Sequence, residues 1–166
     1  VKFDMTSSPP STNRWYHIVA VYSTSPASLR IYVDGDLKVI STSIVAPPST
    51  SGEARIGSDP AGTWPTLNGR IDDVRIYNRA LNENEIRRLY QMGATTKINS
   101  TPKTQLNQGL VGYWSFDGNA RASDLSGNNN HGVLTNGPQY SIGKIGQALD
   151  FDGTNDFVNA GSDASL

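Results

Sequence analysis

The stretch LRIYVDGDLKVI, residues 29–40, constrains the fold most narrowly. Leu29, Ile31 and Val33 alternate onto one face, and the run then meets Asp34-Gly35. An Asp-Gly pair supplies the positive φ that both central positions of a type I′ turn require. The sequence therefore predicts an antiparallel hairpin, with Leu37–Ile40 as the returning strand. Upstream, Trp15–Tyr22 is apolar on both alternating faces except at His17, the pattern of a strand in the middle of a sandwich. Further strands are predicted at Ala54–Gly57, Ile71–Tyr77, Leu110–Phe116, Gly132–Leu134, Ala148–Phe151 and Phe157–Asn159. Residues 58–69 (SDPAGTWPTLNG) read as a loop from their Pro and Gly content. Within Ile71–Tyr77, Ile71 and Val74 fall out of phase, and the doubled acid Asp72-Asp73 predicts a bulge.

One helix interrupts this pattern. Asn82 is placed to cap it, Glu85 three residues later completes a capping box, and Leu81 can staple against Ile86. Gly93 is placed to end it. The chain then turns polar and loses periodicity over ATTKINSTPKTQLN, residues 94–107. The organisation read from this is residues 1–93, a linker at 94–108, and residues 109–166. Many short strands, frequent turns and one short helix predict an all-β fold, an antiparallel jelly-roll β-sandwich.

Composition narrows the function classes. The formal net charge is −1 and charged residues make up 17%, which gives no basic footprint for nucleic acid. The Arg87–Arg88 pair reads as a solvated helix face. Cysteine is absent, which excludes disulfides, thiolate metal sites and cysteine nucleophiles. No apolar run reaches the ~18 residues of a membrane helix, so membrane insertion is not expected. The chain begins with Val and shows no leader, so it is expected to be a window from a longer protein.

Several motifs in order resemble the laminin-G-like branch of the concanavalin A-like lectin/glucanase superfamily. WYHIVAVY, LRIYVDG, ARIGSD and GRIDDVRIYNRALNENEI are similar to the closing half of such a domain. GLVGYWSFDG, ASDLSGNNNHG and GKIGQALDFDGTNDFVNAG are similar to the opening half. The halves stand in reversed order, as in a window cut across tandem repeats. Two arrangements are open: each half belongs to a missing neighbour, or the second half folds back on the first as a circularly permuted, gapped sandwich. A linker of about 15 residues can span roughly 50 Å, enough for the second arrangement.

Candidate site residues come from two sources. In the loop Ser123–Gly132, Asp124 offers a carboxylate, Asn128 and Asn130 offer amide or backbone oxygens, and glycines permit tight turns. Hard oxygen ligands in such a loop suit Ca²⁺; the same residue types also simply build turns. The resemblance adds Asp72, because many relatives use this loop with the acid of the GxIDD strand to hold a structural calcium. Asp117 in the FDG turn is a further candidate ligand. For sugar, Trp64 in the loop before the last closing-half strand and Tyr140 are the candidate platforms, whereas Trp15 and Trp114 are expected in the core. His17 and His131 lie far apart and, with no cysteine, make no zinc site.

A glycosidase of this superfamily needs paired carboxylates, usually glutamates, across a cleft. The chain holds only Glu53, Glu83 and Glu85, two of them beside the helix cap. No nucleophile-elbow, phosphate-loop or dinucleotide motif is present. The resulting expectation is a non-catalytic extracellular or cell-surface module that binds carbohydrate or a protein ligand in adhesion, with neighbouring repeats of the same chain as further partners. The alternative is a spacer repeat; a fragment appended to a glycoside hydrolase ranks third.

Overall fold

The computed structural model describes residues 11–42, 44, 52–59, 61, 65–94, 106–118, 121–163 and 166. The chain divides into two compact units, Val1–Pro48 with Ala80–Ser100, and Ser49–Arg79 with Thr101–Leu166.

In the first unit, β1 (Ile18–Thr24), β2 (Ala27–Val33) and β3 (Asp36–Ser41) form an antiparallel sheet in the order β1-β2-β3. The Asp-Gly turn forms as predicted, with φ of 54° at Asp34 and 83° at Gly35. Asp34 does more than turn the chain. Its Oδ1 accepts the His17 N–H at 2.9 Å and its own N–H donates to the His17 carbonyl at 2.8 Å. This clip ties down His17 just ahead of the strand, so Trp15–His17 stay irregular and β1 begins at Ile18 rather than at Trp15. Nor is β1 central: among the described residues it pairs only with β2, and Ile18 is 58% exposed.

Helix α1 (Glu83–Ala94) also belongs to this unit. Its capping box forms reciprocally: Glu85 N–H donates to Asn82 Oδ1 at 3.0 Å, and Asn82 N–H donates to Glu85 Oε2 at 2.9 Å. Leu81, Ile86 and Leu89 are buried. The helix runs one residue past Gly93, within the ordinary fraying of a helix end. Most of the predicted linker falls at residues 95–105, outside the described residues.

The second unit joins strands from both segments. Its strands are β4 (Arg55–Ile56), β5 (Asn68–Ile71), β6 (Val74–Tyr77), β7 (Leu110–Trp114), β8 (Val133–Thr135), β9 (Gln139–Ile142), β10 (Gln147–Asp152) and β11 (Phe157–Asn159). They form antiparallel sheets in the orders β5-β10-β9, β4-β11-β8 and β6-β7. Every strand of the earlier segment in this unit thus pairs with one of the later segment: Ile71 opposite Leu149, Ile56 opposite Val158, Val74 opposite Trp114. The second segment folds back on the first. All three sheets feed one core of Trp114, Phe116, Ala122, Leu149, Phe151, Val158 and Ala160, with Ile56, Ile71, Val74, Ile76 and Leu134 against it. Among the described residues the fold is that of an antiparallel β-sandwich with one short helix.

Two details depart from the sequence reading. The stretch Ile71–Tyr77 is not one bulged strand but two, broken at Asp72-Asp73, where Asp73 takes φ 57° and the chain passes from the sheet of β10 to that of β7. Strand β9 was not predicted from its sequence, QYSI, which carries one aliphatic residue, and that one, Ile142, is 81% exposed.

Candidate functional site

The loop after β7 is built around Asp124. Its Oδ1 accepts the backbone N–H of Tyr113 at 2.9 Å and of Ser126 at 2.8 Å. Its Oδ2 accepts the Ser126 hydroxyl at 2.8 Å and the Asn130 N–H at 3.0 Å. Burial alone would raise the Asp124 pKa, but these hydrogen bonds outweigh it and hold the carboxyl below its ordinary range. The asparagine amides turn inward as donors: Asn130 Nδ2 donates to the Val111 carbonyl at 2.9 Å, and Asn128 Nδ2 to the carbonyls of Leu110 and Val111 at 3.2 Å. The Asn130 carbonyl accepts the indole N–H of the core residue Trp114 at 2.9 Å. The loop is thereby stitched to β7 and to the core.

Asp72 and Asp117 serve a different loop, the turn between β9 and β10. Asp72 Oδ2 accepts the N–H groups of Lys144 at 2.8 Å and Ile145 at 2.9 Å, and Asp117 Oδ1 accepts that of Gln147 at 2.8 Å. Asp72 Oδ1 is buried without a hydrogen-bond partner among the described residues. Burial raises the Asp72 pKa, partly countered by the Ile145 and Lys144 amides and reinforced by the neighbouring charges of Asp73 and Asp117. The adjacent Asp73 is engaged elsewhere, accepting the Tyr113 hydroxyl at 2.7 Å and pairing with Arg75 at 3.3 Å.

The five candidate ligands therefore fall into two groups rather than one shell. The Asp124 set does not fit a calcium site, because its carboxylate accepts four protein donors and its asparagine amides are turned as donors to β7. At Asp72 the orphaned oxygen does fit a cation or a proton. Among the described residues no cluster of three or more His, Cys, Asp or Glu side chains is arranged to hold a metal ion.

Of the two sugar platforms, Trp64 lies outside the described residues. Tyr140 is half-buried and packs against the core, and its buried hydroxyl has no hydrogen-bond partner among the described residues. A polar groove of about 400 Å³ lies beside the predicted loop instead. Ser58, Asp59 and Thr66 line one part of it, Asn136, Thr154 and Asn155 another, with Arg55 and Phe157. The Arg55 guanidinium sits over the Phe157 ring at 4.3 Å and pairs with Glu53 at 3.0 Å. Asn136 Nδ2 donates to the Asn155 carbonyl at 2.9 Å, fixing the turn that carries Thr154 and Asn155. The hydroxyls of Ser58 and Thr66 are buried with no hydrogen-bond partner among the described residues. Each such orphan costs about 1–3 kcal/mol. Sequence reasoning missed these residues, because Ser, Thr and Asn in turns carry no signal that separates turn-making from ligand contact.

The laminin-G-type family model of the concanavalin A-like lectin/glucanases superfamily matches residues 2–87. The chain belongs to this superfamily. No curated protein sequence and no solved structure matches the chain. Laminin-G-like domains are in general carbohydrate- or protein-binding modules and are typically extracellular. Within this laminin-G-like chain the groove spans the limit of the match: Ser58, Asp59 and Thr66 fall inside it, Asn136, Thr154 and Asn155 beyond it. No described helix is long and apolar enough to cross a membrane.

Proposed function

We propose that this chain is a non-catalytic recognition module of a secreted or cell-surface protein, acting in adhesion, and that it binds neutral carbohydrate in the Ser58–Thr66–Asn155 groove. The observation that carries the reading is that groove's lining. Hydroxyls and carboxamides both donate and accept, as sugar hydroxyls do, and they line both sides of the groove.

Catalysis is not part of the proposal, since each glutamate has a structural occupation. Glu85 is buried in the capping box, Glu83 lies in the first turn of α1, and Glu53 is paired with Arg55. The Arg55 hydrogen bond, helped by Asn159, lowers the Glu53 pKa, the opposite of what a general acid needs. A structural Ca²⁺ enters the reading only on the Asp72–Asp117 side, where those residues would supply carboxylate oxygens.

The test is titration of a panel of neutral oligosaccharides into the chain and into Asn155→Ala and Thr66→Val, in Ca²⁺ and in EDTA. Binding that falls about tenfold in either variant supports the groove. Binding unchanged in both variants, or no binding at all, overturns it and returns the chain to the spacer reading. A melting temperature that is the same in Ca²⁺ and EDTA removes calcium alone.

A further inference from the structure

We propose that a second pocket, at Arg121 and His131, recognises the carboxylate of an acidic sugar. The pocket is about 400 Å³ and is lined by Arg121, His131, Gly132, Val133 and Leu134. Its geometry follows from one antiparallel bridge, Ala122 opposite Gly132, closed by the Gly132 N–H to the Ala122 carbonyl at 2.7 Å. Ala122 is fully buried in the core. Successive residues of extended chain point to opposite faces, so the residues flanking this pair turn outward together. Arg121, His131 and Val133 are all exposed accordingly.

Each wall offers something different. Arg121 makes no ion pair among the described residues, which leaves its fork of donors for a ligand. The His131 ring is oriented from behind: its Nδ1 accepts the Asp124 N–H at 3.1 Å, which places the neutral ring's own N–H on Nε2. The Asp124 carboxylate accepts four donors and is only 7% exposed, so it is a screened neighbour. Val133, 65% exposed, adds apolar surface beside these donors, while the next residue, Leu134, turns its side chain to the core. A planar oxyanion attached to a ring with C–H faces matches that set: the carboxylate meets the guanidinium fork and the ring lies along the Val133 side chain. The sugar part of this inference rests on the carbohydrate reading above; the anion part stands on Arg121 and His131.

The experiment is calorimetric titration of the whole chain with methyl glucuronide, with methyl glucoside as the neutral control and acetate as the carboxylate-only control. The glucuronide is expected to bind at least about tenfold more tightly than either, the scale of one charge-assisted pair. That advantage is expected to vanish in Arg121→Gln, to return in part in Arg121→Lys, and to survive Asn155→Ala. Arg121 is exposed, so an unchanged melt of Arg121→Gln separates lost binding from lost folding. Equal affinity for glucuronide and glucoside, an unaffected Arg121→Gln, or acetate binding as tightly as glucuronide each overturn the assignment. Loss of neutral-sugar binding in Asn155→Ala with glucuronide retained would show that the two sites stand or fall separately.

Discussion

At Asp124, four donors surround one buried carboxylate and favour its charged form; at Asp72, burial and two neighbouring acids outweigh two backbone amides and favour the neutral form. The two residues therefore act on stability in opposite senses. An aspartate whose folded pKa lies below the ordinary 3.8 contributes stability that is present above that value and lost as pH falls through the folded pKa. One whose folded pKa is raised costs stability progressively as pH climbs from 3.8 through the folded pKa, and the full cost remains at neutral pH. Asp124→Ala is thus expected to destabilise by about 2–4 kcal/mol at pH 7, since it strands donors around a buried site. Asp72→Asn keeps one oxygen for the Lys144 and Ile145 amides and removes the charge. It is expected to match or exceed the wild type in stability at pH 7 and to lose that advantage below pH ~4. Denaturant midpoints from pH 3 to 7 check both. A less stable Asp72→Asn at neutral pH would show that the carboxylate charge is needed there, as a bound cation would require.

Among elements, the helix was the most legible. Asn82, Glu85 and the apolar Leu81 and Ile86 define its start by local chemistry alone, and both predicted hydrogen bonds form. Replacing Asn82 with Ala is expected to cost about 1 kcal/mol, read as a shift in denaturant midpoint with unchanged slope. An unchanged midpoint would mean that the burial of Ile86 and Leu89 alone sets the helix. The hairpin at Asp34-Gly35 was equally legible, yet its reach was not. That Asp34 also clips His17, and so delays the start of β1, depends on where the preceding chain lies. Strand β9 could not be read at all. Its four residues are held by pairing with β10, Ala148 opposite Ser141 and Leu149 opposite Tyr140, and alternation of apolar residues carries no record of that. The break at Asp72-Asp73 left a trace, the phase slip between Ile71 and Val74. Whether a slip means a bulge or a change of sheet is decided by which strands arrive to pair.

For the whole molecule, the pairing of the two segments dominates. The core of the second unit draws Trp114, Leu149, Phe151 and Val158 from the later segment and Ile56, Ile71, Val74 and Ile76 from the earlier. Burying each large apolar side chain contributes about 1.5–3 kcal/mol, so loss of either set removes an amount comparable to the ~5–15 kcal/mol net stability of a domain. Residues 1–100 and 101–166 produced separately are expected to lack the fixed environment of Trp114 in near-ultraviolet circular dichroism and to regain it, with a cooperative melt, on mixing. A cooperative melt of residues 101–166 alone, unchanged on mixing, would refute the fold-back arrangement.

The sequence by itself determined the all-β class, the hairpin, the capped helix and the superfamily, because periodicity, turn chemistry and capping are local and survive in the order of residues. It left open whether the later segment completes the earlier one, which loop each acid holds, and which turn residues come together to line a groove. Those were decided by tertiary structure. Asp72 and Lys144 lie 72 positions apart in the chain, and only strand pairing brings the donor to the carboxylate. The groove at Ser58 and Asn155 and the pocket at Arg121 and His131 are likewise made from turn residues whose meaning depends on what the fold places opposite them.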